Sequence, residues 1–326
     1  MATSLITGGA GFIGSHLAEA LLQAGNHVVV VDDESTGSKQ NIEPLLANEK
    51  FRFVHGSVSD KDLVRDLVNQ ADEVYHLAAA VGVALINQEP IQTIERNIYP
   101  TELLLAEVQR RNAEGTPVRL FLASTSEVYG KNPKDKWTEE DDLVFGSTTR
   151  PRWAYGASKA IDEFLALAYW HQKRTPIVIG RFFNVVGPRQ TGTYGMVLPR
   201  FVDAALAGKS PTVHHDGSQI RCFAHVADVV GAVVQLMRTD AALGQVFNIG
   251  SDRPITILEL AQMVISQANP GLEVEFQSYE EAYSANFEDI LRRVPDLTKL
   301  SKCIDYAPQF TLEDIVRDVI EDKKSS

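Results

Sequence analysis

The 326-residue chain has only two cysteines, Cys222 and Cys303, and neither their number nor their spacing suits a disulfide framework or a zinc site. A reducing, cytoplasmic setting is therefore expected. Basic residues are outnumbered, 31 Lys and Arg against 43 Asp and Glu, giving a formal net charge of -12. General affinity for DNA or RNA rests on clustered cations and is not expected, although a local basic site for a phosphate is compatible with this balance. No apolar run approaches the ~20 residues needed to cross a bilayer. The apolar start has no basic leader of the kind that marks a signal peptide. Internal repeats and low-complexity segments are missing, and Gly and Pro are not enriched enough for a disordered chain. The tail Glu321 to Ser326 is expected to fray.

What is present is an ordinary globular composition, 44% hydrophobic and 23% charged, in a chain long enough for a nucleotide-binding domain and a smaller companion. Short β-branched runs alternate with amphipathic stretches. Ser4 to Thr7, His27 to Val31, Phe51 to Val54, Glu73 to Leu77, Val118 to Ala123 and Ile177 to Gly180 read as strands; Phe12 to Ala24, Asp60 to Asn69, Ile91 to Arg111 and Ala154 to about Gln172 read as helices. Strict alternation predicts a Rossmann-type, doubly wound parallel sheet covered on both faces, over residues 1-180. From residue 181 to 326 loops are more frequent, with helices near Leu198 to Ala207, Val226 to Met237 and Ile257 to Gln267. This second part is expected to be a smaller α/β substrate domain, some segments of which return to the first.

Between the first strand and the first helix lies Thr7-Gly8-Gly9-Ala10-Gly11-Phe12-Ile13-Gly14. In that context Gly8 permits a tight turn, Gly11 admits a pyrophosphate to the backbone, and Gly14 lets helix and strand pack closely, with the phosphates at the helix N-terminus. The second strand ends at Asp32-Asp33, where a carboxylate can accept bonds from ribose hydroxyls and repel a 2'-phosphate. That selects NAD over NADP. Asp32 is the better placed; Asp33 reads equally as an exposed loop carboxylate.

Tyr155 and Lys159, in Tyr155-Gly156-Ala157-Ser158-Lys159, fall one helical turn apart on one face. A neighbouring ammonium favours the phenolate that a tyrosine needs to act as a base. Ser124-Thr125-Ser126-Glu127-Val128-Tyr129-Gly130, at the end of the fifth strand, adds the Thr125 hydroxyl for the same substrate oxygen. Here the chain resembles the extended short-chain dehydrogenase/reductase family of nucleotide-sugar epimerases, dehydratases and decarboxylases. The resemblance covers nearly the whole chain: the TGGAGFIG turn, His76-Leu77-Ala78-Ala79, STSEVYG, YGASK, Arg181-Phe182-Phe183-Asn184 with Gly187-Pro188-Arg189, Asp216 to Phe223, and Arg293 to Leu297. It implies oxidation of the sugar at C4, chemistry on the 4-ketone and reduction by the same NADH, with a nucleoside diphosphate sugar, of UDP type, as substrate. It also implies that Phe12, Ile13, Ser57, Val58, Leu77, Ala78 and Ala79, with Tyr155 and Lys159, belong to the cofactor site, that Asn184, Arg189, Arg221 and Arg293 face the substrate, and that two copies pair through the 91–111 and 154–172 helices.

Within the family, Ser126 and Glu127 after Thr125 resemble UDP-glucuronate decarboxylases, because a carboxylate beside a ketosugar can manage protons at C5. Glu127 reads alternatively as a carboxylate paired to an arginine, and Arg292 and Arg293 as solvated charges. Two features depart from the decarboxylase pattern, Ala79-Ala80-Val81-Gly82-Val83 in place of Cys-Pro-Ala-Ser-Pro and His215 where a glycine is usual, and a UDP-sugar 4-epimerase is the alternative. A 4,6-dehydratase and an NAD-binding sensor on the same fold are further alternatives. His214 and His215 read as surface polar residues, and no metal is invoked.

Overall fold

In the computed structural model, residues 1–79, 90–193, 196–278 and 288–325 are described. Ala80 to Val83, part of the departure noted above, lie outside them. The core is a parallel sheet built from β1 (Thr3–Thr7), β2 (His27–Asp32), β3 (Phe51–His55), β4 (Glu73–His76), β5 (Arg119–Thr125), β6 (Ile177–Phe182) and, far later in the chain, β11 (Gln245–Ile249), in the order β11-β6-β5-β4-β1-β2-β3. Parallel neighbours need long crossovers, and the intervening helices supply them: α1 (Phe12–Gln23), α2 (Lys61–Asn69), α3 (Pro90–Ala113) and α4 (Ala154–Lys173).

Successive strand residues point to opposite faces, and the sequence separates them accordingly. Ile6, Val28, Val30, Tyr75, Phe121 and Phe247 pack on one side under α1 and α6 (Val226–Arg238). Leu5, Val29, Val31, Val74, Leu120, Leu122 and Ile179 pack on the other under α2, α3 and α4. Strands buried on both faces must be apolar at nearly every position, which is why β2 reads His-Val-Val-Val-Val-Asp.

The boundary expected near residue 180 is crossed by the chain: α6 and β11 belong to the large sheet and its core. The remaining segments form a smaller unit. Its core joins α5 (Val197–Leu206), α7 (Ile257–Ala268) and α9 (Leu312–Ser325), following the short α8 (Thr298–Cys303). Its strands are short: β7 (Val185–Val186) pairs with β10 (Ala224–His225), β8 (Thr212–His214) with β13 (Glu275–Gln277), and β9 (Ile220–Cys222) lies between β12 (Pro254–Thr256) and β14 (Arg292–Arg293). The tail, expected to fray, is helical to Ser325, because Ile315, Val316, Val319 and Ile320 are buried and Lys323 pairs with Asp203 at 3.1 Å.

Candidate active site

A cavity of about 860 Å³ runs from the glycine turn across the carboxyl ends of the strands to the smaller unit. In a doubly wound sheet this is where ligands bind. Gly8 sits at φ +70, and a Cβ there would lie 2.7 Å from the Ala78 nitrogen; a Cβ on Gly14 would collide with the Gly8 carbonyl and the Gly9 Cα. Both positions thus require glycine for the turn and for the seating of α1. The N-terminus of α1 has no side-chain cap, and Gly11, Phe12 and Ile13 line the cavity there, so its amides and dipole meet an anion's charge.

Asp32 closes β2, buried, accepting hydrogen bonds from Ala10 N at 2.9 Å and Glu34 N at 2.8 Å. Burial raises its pKa, against the two amide bonds. Asp33 is exposed, accepts from Ser35 N at 3.0 Å, and lines the cavity beside it. Ser57, Val58, Leu77, Ala78 and Ala79 complete the wall. A dinucleotide fits these residues: an uncapped helix start for its phosphates, a carboxylate pair for a ribose, and small residues along its length.

At the other end, Thr125 terminates β5, and its hydroxyl, which accepts from Glu127 N at 3.2 Å, faces Tyr155 of α4 closely enough to favour the phenolate. Tyr155 is buried and lines the cavity. Its phenol is pushed well above the usual value, first by burial and then by the Glu127 charge, with Thr125 and Arg293 opposing. Lys159 does not line the cavity: it is buried, and its ammonium bonds to Asp162 at 2.9 Å.

Glu127 is clamped between Arg152 and Arg293, each with a guanidinium nitrogen 2.5 Å from one of its oxygens. Burial alone would raise its pKa, but Arg293 and Arg152 outweigh it, with Arg221 adding, and hold the carboxyl down to about 2. The expected management of a C5 proton by Glu127 is therefore recast: in this arrangement it is an ionised partner to two cations, not a proton donor near neutral pH. Ser126 is buried, its hydroxyl 3.5 Å from Arg293.

Arg221 reaches Asp289 at 3.2 Å, and Arg292 donates to the Asp135 carbonyl at 2.9 Å outside the cavity. Asn184, at φ +36, donates to the Cys222 carbonyl at 2.8 Å. Arg189, also left-handed at φ +69, turns its guanidinium to Glu19 and to Ser15 of α1, so its side chain joins the two units at the cavity rim. His214 lines the cavity half-buried rather than standing on the surface; His215 is exposed at φ +58. The usual glycine at that position thus answers a left-handed backbone that His adopts here beside Asp216, at 3.1 Å.

Sequence reasoning missed Arg152 and Asp162. Arg152 falls three residues before Tyr155, in the turn Pro151–Trp153 leading into α4, and that spacing was the available signal. Asp162 lies three residues beyond Lys159 on the same helix, beside the buried Glu163.

A model of the GDP-mannose 4,6 dehydratase family matches residues 5–319. The chain is 38% identical over 318 residues to a UDP-N-acetyl-alpha-D-glucosaminuronate decarboxylase of Bacillus cytotoxicus, covering 97% of this chain and 96% of that one. It is 34% identical to UDP-glucuronic acid decarboxylase 1 of Danio rerio, covering 97% and 71%. Among solved structures, the dTDP-glucose 4,6-dehydratase DesIV of Streptomyces venezuelae, with NAD bound, superposes with a TM-score of 0.87 at 27% identity, covering 99% and 97%.

Proposed function

The chain belongs to the GDP-mannose 4,6-dehydratase family and is an NAD-dependent nucleotide-sugar enzyme, and we propose that it decarboxylates a UDP-linked uronate through a transient C4 ketone. One observation carries this reading: Arg152 and Arg293 share the single carboxylate of Glu127 next to Tyr155. Both guanidiniums line the cavity beside Tyr155, and guanidinium groups there suit the planar C6 carboxylate of a uronate, whereas a hydroxymethyl group calls for no cation.

Bound NAD supplies the oxidising and then the reducing equivalent at C4. Tyr155 takes the proton of the C4 hydroxyl, with Thr125 holding the same oxygen. Once C4 is a ketone, the C6 carboxylate is β to it: the C5–C6 bond breaks, CO2 departs, its bonding pair stays on the sugar as an enolate with charge on the C4 oxygen, and C5 takes a proton from solvent before hydride returns to C4 and Tyr155 gives its proton back to the oxygen. Tyr155 and Thr125 stabilise the charge arriving there. Arg293 and Arg152 orient the carboxylate; Glu127 and Ser126 fix the arginines and temper their field, so that CO2 is not held back. Gly8, Gly11, Phe12, Ile13, Gly14, Asp32, Asp33, Ser57, Val58, Leu77, Ala78 and Ala79 cradle the cofactor, with Lys159 supporting Tyr155. Asn184, Arg189 and Arg221 belong to the nucleotide end.

No described helix is long and apolar enough to cross a membrane, and Cys222 and Cys303 are free thiols, in keeping with a cytoplasmic enzyme. A homodimer accounts for the apolar side chains left on α3 and α4: Ile91, Ile94, Tyr99, Ile161 and Phe164 are exposed. Leu104 and Leu105 of α3 face inward and belong to the core.

The test is incubation with UDP-glucuronate, UDP-N-acetylglucosaminuronate, UDP-glucose and GDP-mannose, followed by mass analysis, with Tyr155→Phe as the inactive control. Loss of the mass of CO2 from either uronate is expected, and their relative rates identify the C2 substituent preferred. An isomer of unchanged mass would make the enzyme a 4-epimerase, and loss of water a 4,6-dehydratase.

A further inference from the structure

Asp162 is a fully buried carboxylate with no described place in the cavity wall, and its Oδ2 lies 2.9 Å from the Lys159 ammonium. Its Oδ1 makes no hydrogen bond among the described residues, so the group is not a fully satisfied structural anchor. A buried ion pair is a poor stabiliser compared with apolar side chains of the same volume. The charge at 162 therefore calls for a reason beyond packing.

The charged and titratable groups around it are few. On α4 itself stand Tyr155, Lys159 and Glu163, the last taken up by Arg181 at 2.7 Å. From α3 comes the Thr101 hydroxyl, close enough to stabilise the Asp162 charge. From β4 comes His76, kept neutral with its pKa pushed down to about 3 by burial and by Lys159, and held between Thr7 at 2.7 Å and Thr101 at 3.1 Å. On the cavity side of Tyr155 are Glu127 and Arg293. No member of this set other than Asp162 meets the Lys159 ammonium in an ion pair.

We propose that Asp162 is a positioning residue of the Tyr155–Lys159 pair: it draws the ammonium back from the cavity and offsets its charge, so that Tyr155 keeps its proton until a cationic ring is bound in front of it. Oxidised NAD carries such a ring and reduced NAD does not, so the phenol is set to take a proton in one half of the reaction and to give it in the other. Burial and the Asp162 charge both act on Tyr155 in this sense. The proposal rests on the acid–base reading of Tyr155, and its test separates the two: turnover by Tyr155→Phe would end that reading, whereas the following titration addresses Asp162 alone.

The measurement is the tyrosinate absorbance of the NAD-loaded protein without substrate, as a function of pH, with a Tyr155→Phe background subtracted for each variant. Asp162→Asn should lower the midpoint by about one pH unit, tenfold in the ionisation constant, since one full charge close to the phenol has been removed. The acid limb of kcat/KM should move with it. Asp162→Ala, uncharged but smaller, should shift the midpoint in the same direction. Asp162→Glu keeps the charge and, as the change least disruptive to the pair, should retain the parent midpoint. A midpoint that stays put in the Asn and Ala variants while kcat falls would reduce Asp162 to a structural ion pair and overturn the proposal. So would an Asp162→Glu midpoint displaced from the parent value.

Discussion

Arg293 stands opposite Arg221 in the parallel register of β14 and β9, and both side chains line the cavity. Like charges side by side on a sheet repel. Here each meets its own carboxylate, Glu127 for Arg293 and Asp289 for Arg221, which offsets the repulsion.

The first expectation is a pH dependence of stability. Glu127 is held at about 2 in the folded protein against an ordinary value of 4.5, so its contribution is fully present above pH 4.5 and is lost as pH falls through about 2. The contribution is about 3 kcal/mol. Urea melts between pH 5 and pH 2 should show this decline, and Glu127→Gln should remove that part of the slope. The same substitution removes the carboxylate that Arg293 meets at 2.5 Å in a buried place, costing roughly 3–5 kcal/mol near neutral pH. A variant as stable as the parent at pH 7 contradicts the clamp.

A second expectation concerns the cofactor. On the proposal that Asp32 and Asp33 meet the adenosine ribose, NAD should bind at least about tenfold more tightly than NADP, because a 2'-phosphate would meet carboxylates there. Fluorescence titration with both decides it, and equal affinities would remove Asp32 from the ribose.

The third is oligomeric state. Phe164, 68% exposed, and Ile91, 71% exposed, are the most solvent-facing apolar residues of α4 and α3. Phe164→Glu should convert a dimer to a monomer in light scattering at micromolar concentration. If the parent protein is already monomeric, the exposed stripe has another purpose.

Fourth, His215→Gly should raise thermal stability by up to about 1 kcal/mol, since a left-handed His carries strain that glycine lacks, partly offset by glycine's looser unfolded chain. A variant less stable than the parent would show that the contact with Asp216 outweighs the backbone.

The sheet was legible because its strands are buried on both faces and its helices on one, which leaves runs such as Val28 to Val31 and a stripe such as Leu17, Ala18 and Leu21. The glycine turn and the Tyr155–Lys159 spacing were legible because backbone geometry and helix pitch demand them. The strands of the smaller unit were not: β7, β9, β10 and β14 are two or three residues long and carry no readable period. Nor was the ionisation of Glu127 legible, since Arg152 and Arg293 reach it from 25 and 166 positions away along the chain. A side chain's charge state is set by its neighbours in space, and the same residue read alone admits a proton donor or a fixed anion.

The return of the chain to the large sheet at β11 governs how the molecule can be made. Until residue 249 has been synthesised, β6 is an open edge, and until α6 has formed, the face that carries Val178 and Phe121 has lost part of its cover. A nascent chain that has already produced the whole glycine turn and the Tyr155 helix therefore still presents a pairing-competent strand and bare apolar surface. A fragment cut at Gly180 should consequently aggregate rather than bind dinucleotide, and the two units are better regarded as one cooperative folding event with interleaved order of assembly than as a pair of separable modules.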